Sequence, residues 1–513
     1  MNVDLASHIV EKLLSIGVTE VCLCAGGRNS PLVVALQACP QAHVWHFFEE
    51  RSAAFFALGR SWSLGREPVA IVTTSGTAAG ELLPALMEAH YAAVPLIAVT
   101  ADRPRTFRGS GAPQSAEQVG LFSHYVNRTF DVATVEEAEA IEFGAGPPLH
   151  INVCFAEPLL DKPAKLSESV SPGKSQVSEF PRPAELATAL SKIERPLLIL
   201  GQLPADPFVA ELVERGNCLV YAEAASQQRR PSSHILRAGA ERVPTLAAEG
   251  AIDGVIRVGG VPTLRFWRDL EDRFLTLPVI SLATSNFSGL ARPSAVFDYN
   301  LGHLEVLAEH LENCDSSEVA KFMEEDARCF ERLNALLELH PRSELGWMRW
   351  LSQNIAAQSR VFLGNSLPIR EWDLAADYTE RQFAIHCTRG LSGIDGQVST
   401  FLGWAAEGSA NVGIFGDLTA LYDLSAPWVL RQRPDLDLKI IIINNGGGQI
   451  FERIFGNPWF LNSHALNFEH WAKLWDLDYL KNEALAKSTA RRTIVEITPD
   501  AESTRAFWRE HAQ

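Results

Sequence analysis

Nowhere in the chain do roughly 18 apolar residues run together, the length a helix needs to cross a bilayer, so no membrane span is expected. The first dozen residues carry Asp4, His8, Glu11 and Lys12, which leaves no apolar core for a secretory signal there. Positive charge is scarce: 45 Lys and Arg stand against 62 Asp and Glu, a formal net charge of −17. Binding nucleic acid requires a basic face that displaces counterions from phosphates, so that class is excluded. Cysteine is sparse, 8 residues in 513, and no two form a Cys-x-x-Cys pair. These read as buried reduced thiols, and Cys22-x-Cys24 lacks the partner ligands of a metal or redox site. Together these features predict a cytoplasmic protein. There is no short-period repeat, no low-complexity run and no Gly-x-Gly-x-x-Gly after a strand, which weighs against a non-catalytic nucleotide-binding scaffold.

What is present is a long, ordinary globular composition, 47% hydrophobic and 21% charged. The length exceeds what one core supports, and domains of roughly 100 to 200 residues imply about three. The opening reads as an amphipathic helix (Leu5 to Ile16), a short apolar strand (Val18 to Cys24), a Gly-rich turn and a helix from Pro31. Strand, Gly/Ser/Thr turn and helix then recur through "PVAIVTTSGTAAGELLPALMEAHYAAVPLIAVTADRP", the alternation of parallel βαβ packing. Between Ala164 and Pro183 the composition turns to Ser, Pro, Lys and Glu, as in an exposed connector. Short apolar strands resume at "RPLLILGQL", "NCLVYAE", "GVIRVGGVPT" and "PVISLA"; a polar helical tract from Ser316 to His340 leads into a last set of strands. The expectation is α/β throughout: three doubly wound domains with mainly parallel sheets, at residues 1–170, 184–340 and 341–513.

The strongest chemical signal is Gly416-Asp417 after the apolar "NVGIF", with Asn445 following "KIIII" 28 positions later. Both would end adjacent parallel strands, at the edge where open α/β sheets bind ligands. A hard divalent cation prefers oxygen, and a carboxylate, an amide oxygen and a backbone carbonyl can share one face with diphosphate oxygens. Gly446, Gly447 and Gly448 open backbone conformations that bring a carbonyl toward the metal. A helix starting near Leu418 aims its amides at the same anion.

This pattern resembles the metal motif of thiamine-diphosphate enzymes, which opens with Gly-Asp and closes with Asn-Asn. The resemblance implies that Asp417, Asn445 and the Gly447 carbonyl hold Mg²⁺, with Mn²⁺ as an alternative ion. It further implies that thiamine diphosphate contacts Glu50, Thr77, Gly390, Ser392, Gly393, Asp395, Gly416, Leu418, Thr419, Gln449 and Ile450. Such enzymes need a carboxylate against the distal aminopyrimidine nitrogen, favouring the imino tautomer that removes the thiazolium proton. "HVWHFFEERSAAFFALG" offers it: a strand into Phe48, then Glu49-Glu50-Arg51 starting a helix. By resemblance Glu50 is the activator and Glu49 a flanking position usually acidic. The resemblance implies pyrimidine-binding and diphosphate-binding domains on different subunits, hence a homo-oligomer, dimer or tetramer, with active sites at the subunit interface.

Further segments, among them "GGRNSPL", "TSGTAAGELLPALMEA", "GNSLPIR", "RGLSGIDGQVST" and "NNGGGQIF", are similar to one thiamine family, the menaquinone-biosynthesis synthases. These carboligases decarboxylate 2-oxoglutarate and add the succinyl-semialdehyde carbanion equivalent to isochorismate. Both substrates are dianions, and planar bidentate cations suit them. By resemblance Arg28, Arg103, Arg370, Arg389 and Ser366 meet the carboxylates, Gln114 lies near the forming bond, and Ile450 and Phe451 flank the thiazolium. Gln114, Ser366 and Arg370 thereby join Glu50 as catalytic candidates. The chain departs from the family pattern at Gly27, Pro113 and Thr388, each removing a possible hydrogen bond, and in the middle domain, where paired basic residues reduce to Arg265. The alternative within the class is a thiamine-dependent 2-oxoacid decarboxylase or carboligase with a neutral acceptor, which would not need four arginines.

Overall fold

The computed structural model describes residues 2–143, 148–166, 183–378, 381–487 and 489–512. The connector expected from Ala164 to Pro183 lies outside them except at its ends. The chain forms two compact units: Met1–Ser178 with Gly393–Gly408 and Thr419–Leu436, and Glu179–Ser392 with Ser409–Leu418 and Asp437–Gln513.

The first unit is built on strands β1 (Glu20–Cys24), β2 (His43–Phe47), β3 (Val69–Thr73), β4 (Leu96–Asp102), β5 (Arg128–Val132) and β6 (Leu149–Cys154). They form one sheet in the order β2-β1-β3-β4-β6-β5, with parallel pairings. β1, β3, β4 and β6 are buried along their whole length, which is why they read as unbroken apolar runs rather than alternating ones. The first helix, Asn2–Ser15, packs Leu5, Ile9 and Leu13 into the core beneath this sheet. It starts earlier than the apolar spacing alone indicates. Cys22 and Cys24 are both buried in β1, and burial pushes both thiols up. Seven of the eight cysteines are buried and Cys329 is half-buried.

The second unit holds two sheets. One contains β7 (Pro196–Leu200), β8 (Leu219–Ala222), β9 (Gly254–Val258), β10 (Val279–Ala283) and β11 (Ala295–Asp298), ordered β11-β10-β9-β7-β8. The other contains β12 (Arg360–Leu363), β13 (Ala384–His386), β14 (Ala410–Gly416), β15 (Asp437–Ile443), β16 (Asp478–Lys481) and β17 (Arg492–Ile497), ordered β13-β12-β14-β15-β17-β16. Their pairings are parallel too. The polar tract before the last sheet is a helix over Val319–Leu339. Counted from the first strand of each, the first and third sheets have the same order.

That order matters because the chain reverses direction across the sheet between the first and third strands, and the loops there splay apart to leave a crevice. In the first sheet the reversal lies between β1 and β3, which are followed by Arg28 in a loop and by Thr77 at a helix start. In the third it lies between β12 and β14, which are followed by Ser366 at a helix N-cap and by Asp417 at a helix start. In the middle sheet it lies between β7 and β9, and there the chain fills its own crevice: a side chain at Gly201 would run into the Gly260 carbonyl, and the Gly260 amide donates to the Gln202 carbonyl at 3.0 Å.

Candidate active site

In the first unit, β2 stops at Phe47 and Phe48 is exposed. The next helix spans Glu50–Ser63, with Glu49 as its N-cap rather than its first residue. Glu49 spends its carboxylate on that cap: Oε1 accepts from the Arg51 amide, and Oε2 from the Ser52 amide and the Ser425 hydroxyl. This satisfies amides that a helix start leaves unpaired. Glu50 is left half-buried with a raised pKa, chiefly because burial disfavours its charge and further because Glu49 and Glu81 repel it. A carboxyl held this way is suited to sharing a proton with a ring nitrogen.

The helix carrying Glu50 is seated by a second one, Gln397–Trp404. A side chain at Gly59 would collide with the Thr400 carbonyl, one at Gly403 with the Phe56 carbonyl, and one at Gly396 with the Phe55 ring. Ser399 on that second helix donates from both its amide and its hydroxyl to Asp423. Burial lifts the Asp423 carboxyl to about 6, and Arg51 lies 3.8 Å away. Gly393 and Asp395 precede this helix, the Gly393 carbonyl accepting from the Gln397 side chain. Thr419, in the same unit, is buried.

Thr77 opens the short helix Thr77–Gly80 after Gly76, which has a left-handed φ of 85°. Gln114, also left-handed at φ 56°, packs so closely that a Cβ on Gly76 would lie 3.1 Å from its Cα. Buried Gln118 accepts from the Gly76 amide at 2.8 Å and donates to the Ala101 carbonyl and Asn152. Arg103 donates from Nε to the Pro113 carbonyl at 3.0 Å and lies over the Phe107 ring, so it braces the loop of Gln114. Arg28 donates to the Phe155 carbonyl and pairs with Glu157 at 3.2 Å. A side chain at Gly27 would meet open space.

In the second unit, β14 and β15 run in parallel register to the pair Gly416 and Ile443, so Asp417 and Asn444-Asn445 emerge side by side. Asp417 is buried, and its Oδ2 accepts from the amides of Gly446 and Gly447 at 2.8 and 2.9 Å. Oδ1 accepts from the Leu418 amide at 2.6 Å. Burial raises its pKa against the pull of these donors. His464 Nε2 stands 3.3 Å from Oδ2. Gly447 has φ 136° and leaves no room for a side chain beside the Leu461 carbonyl, the reason glycine is needed here. Asn444 serves the fold, donating to Leu466 and Glu496.

Asn445 tests whether a cation fits. Its Nδ2 donates to Glu344 at 3.2 Å, whereas its Oδ1 is buried with no hydrogen-bond partner. A bare buried acceptor costs about 1 to 3 kcal/mol, and a hard cation beside Asp417 would satisfy it. The donor set is all oxygen, as Mg²⁺ requires. The structure thus brings Asp417, Asn445, Gly447, Gln449 and Ile450 into one loop system, with the Gln449 side chain donating to the Asn445 carbonyl at 3.4 Å. Phe451 is partly exposed and stacks near Phe455.

Ser366 caps the helix Leu367–Ala375 with a left-handed φ of 71°, and its carbonyl accepts from Arg370 at 2.5 Å. Burial, then the charge of Arg389, lowers the Arg370 pKa. Arg389 donates to Asn365 Oδ1 at 2.9 Å, and Asn365 donates to the Thr388 carbonyl and hydroxyl. Thr388 therefore keeps a side-chain hydrogen bond despite departing from the family pattern. Gly390 and Ser392 follow in a loop, Ser392 at φ 60°. Arg265, by contrast, is largely exposed and pairs with Asp269.

Sequence reasoning missed the acids behind this half. Burial raises both Glu344 and Glu371, Glu371 the further because it also feels the charge of Glu344. Glu223, which accepts from the Thr263 hydroxyl at 2.6 Å, is lifted to about 7 by burial and by Asp373. No local signal marks them: an acid at a helix start or after a strand is commonplace. Only buried position reveals them.

Residues 3–121 match the sequence family described as "Thiamine pyrophosphate enzyme, N-terminal TPP binding domain". The chain is 41% identical to the 2-succinyl-5-enolpyruvyl-6-hydroxy-3-cyclohexene-1-carboxylate synthase of Bdellovibrio bacteriovorus, over 99% of this chain and 98% of that protein. It is 37% identical to the synthase of that name from Akkermansia muciniphila, over 95% and 94%, and 30% identical to that of a Roseiflexus species, over 98% and 96%. With near-complete coverage at these identities, and an oxygen-lined loop where the thiamine metal motif predicts one, the chain belongs to the family of 2-succinyl-5-enolpyruvyl-6-hydroxy-3-cyclohexene-1-carboxylate synthases.

Proposed function

We propose that this protein is a carbon–carbon transferase that decarboxylates 2-oxoglutarate and joins the remaining four-carbon unit to isochorismate, giving 2-succinyl-5-enolpyruvyl-6-hydroxy-3-cyclohexene-1-carboxylate and carbon dioxide. Thiamine diphosphate, when bound, supplies the thiazolium carbon that adds to the 2-oxo acid and takes up the charge released on decarboxylation. Asp417, Asn445 and the Gly447 carbonyl would hold Mg²⁺ or Mn²⁺ against the diphosphate. The contacts at Thr77, Gly390, Ser392, Gly393, Asp395, Gly416, Leu418, Thr419, Gln449 and Ile450 belong to the same reading. Glu50 holds and returns a proton at the pyrimidine nitrogen. Arg28, Arg103, Arg370, Arg389 and Ser366 orient the substrate carboxylates, Gln114 lies by the forming bond, and Ile450 and Phe451 keep water from the reacting carbon.

The observation that carries this reading is the unpartnered Asn445 Oδ1 in the loop whose Gly446 and Gly447 amides bind buried Asp417, in a chain related over its length to synthases of this name. The reading places a pyrimidine-binding domain at residues 1–170, a central domain at 184–340 and a diphosphate-binding domain at 341–513, in a cytoplasmic homo-oligomer. The test is a coupled assay with 2-oxoglutarate, isochorismate, Mg²⁺ and thiamine diphosphate. Carbon dioxide release should require the coenzyme and the adduct should require both substrates. Equal turnover of pyruvate would instead indicate the carboligase with a neutral acceptor.

A further inference from the structure

An asparagine amide has two ends of nearly equal size, an acceptor and a double donor, and only the acceptor can serve a cation. Something must therefore decide which end of Asn445 is left available to a cation. We propose that Glu344 is a positioning residue for the metal: its carboxyl takes the NH₂ end of Asn445 and so aims the amide oxygen at the cation, an inference that rests on the cofactor reading above.

The geometry is specific. Glu344 is the first residue of the helix Glu344–Asn354, whose N-cap Ser343 accepts from the Gly346 amide at 3.0 Å. The Glu344 amide donates to the Thr504 hydroxyl at 3.1 Å, so the backbone beneath the carboxyl is held from two sides. The side chain is buried. Its Oε2 accepts from Asn445 Nδ2 at 3.2 Å. Rotated by half a turn, Asn445 would set its carbonyl oxygen against that same Oε2, lone pair against lone pair, and would turn two N–H groups toward the cation. The observed arrangement leaves Asn445 Oδ1 buried without a protein partner, a bare acceptor on the residue preceding the two glycines whose amides bind Asp417. Groups that orient a metal ligand from behind typically contribute 10- to 100-fold in metal affinity.

The experiment is a Mn²⁺ titration of the metal-free full-length protein with thiamine diphosphate present, following free Mn²⁺ by electron paramagnetic resonance. Wild type is compared with Glu344→Ala, Glu344→Gln, Asn445→Ala and the Glu344→Ala/Asn445→Ala double variant. Glu344→Ala is expected to weaken Mn²⁺ binding about 10-fold or more, Glu344→Gln, whose amide oxygen still accepts, by less than about threefold, and the double variant no more than Asn445→Ala alone. If Glu344→Ala does not fold, Glu344→Leu takes its place, since it removes the buried charge at similar volume. Wild-type affinity in the alanine or leucine variant overturns the inference, as does a double variant whose losses multiply or a glutamine variant as weak as alanine. Wild-type protein that takes up no Mn²⁺ with the coenzyme overturns the cofactor reading and this inference together.

Discussion

Glu50 and Glu49 are chemically identical neighbours with different surroundings. Glu49 is saturated with cap hydrogen bonds, while burial and like charges raise the Glu50 pKa. Glu50→Gln should lower carboligation by about 10² to 10⁴-fold, the usual contribution of a positioned acid or base, while calorimetry still detects coenzyme binding. The sign of its stability effect follows from the shift. A raised carboxyl pKa means a contribution that is full below the unfolded value and lost as pH rises through the folded one. Glu50→Gln should therefore melt at or above the wild-type temperature near pH 8, and that gain should vanish below about pH 4. A glutamine that lowers the melting temperature at pH 8 would show that the ionised side chain has a stabilising role instead. Arg389, fixed by Asn365, should act on substrate. Arg389→Ala should reduce kcat/KM for the dianions by about 10- to 100-fold, the worth of a hydrogen bond to a charged group, and should also lower the melting temperature, because it removes a donor to the buried Asn365 Oδ1. Both roles rested on residue type within a matched segment, and the structure adds the neighbours that set their electrostatics.

At the scale of elements, the helix carrying Glu50 depends on a contact that no local pattern announces. Gly59 and Gly403 let the helices Glu50–Ser63 and Gln397–Trp404 approach until backbone meets backbone. Gly59→Ala should force them apart at a cost of about 1 to 3 kcal/mol, visible as a lower denaturant midpoint at unchanged slope. Activity should fall with it because Glu50 sits on the first turn of the displaced helix. An alanine variant as stable as wild type would mean the helices have room to spare. From sequence, Gly59 is merely a helix-weakening residue, because its partner lies more than 300 positions away. The strand ends bearing Asp417 and Asn445 were readable, since apolar run, turn glycine and oxygen ligand are contiguous. Their pairing as neighbours, β14 beside β15, also followed from the motif's chemistry.

Across the whole molecule, the first and third sheets share one strand order and reverse it at the same point, where open α/β sheets bind ligands. The first lies in the unit of Glu50, the third in that of Asp417 and Asn445. The repetition fits the duplication that three similar α/β segments suggest. Under the subunit-interface reading, sedimentation velocity should find a dimer or larger species at assay concentrations, and dilution to monomer should abolish turnover. A monomer with full activity would refute that reading. The sequence by itself determined the α/β class and the strand runs and pointed to the oxygen ligands at Asp417 and Asn445, because burial of parallel strands and the chemistry of cations act through short contiguous segments; the other coenzyme-binding candidates came from the family resemblance. Only the tertiary structure decided that Glu344 backs Asn445, that Gln118 pins the Gly76 turn, that Gly201 and Gly260 close the middle crevice, and that Asn444 is spent on the fold. Those outcomes depend on which distant segments pack together and on how completely water is excluded between them, neither of which is encoded in local spacing.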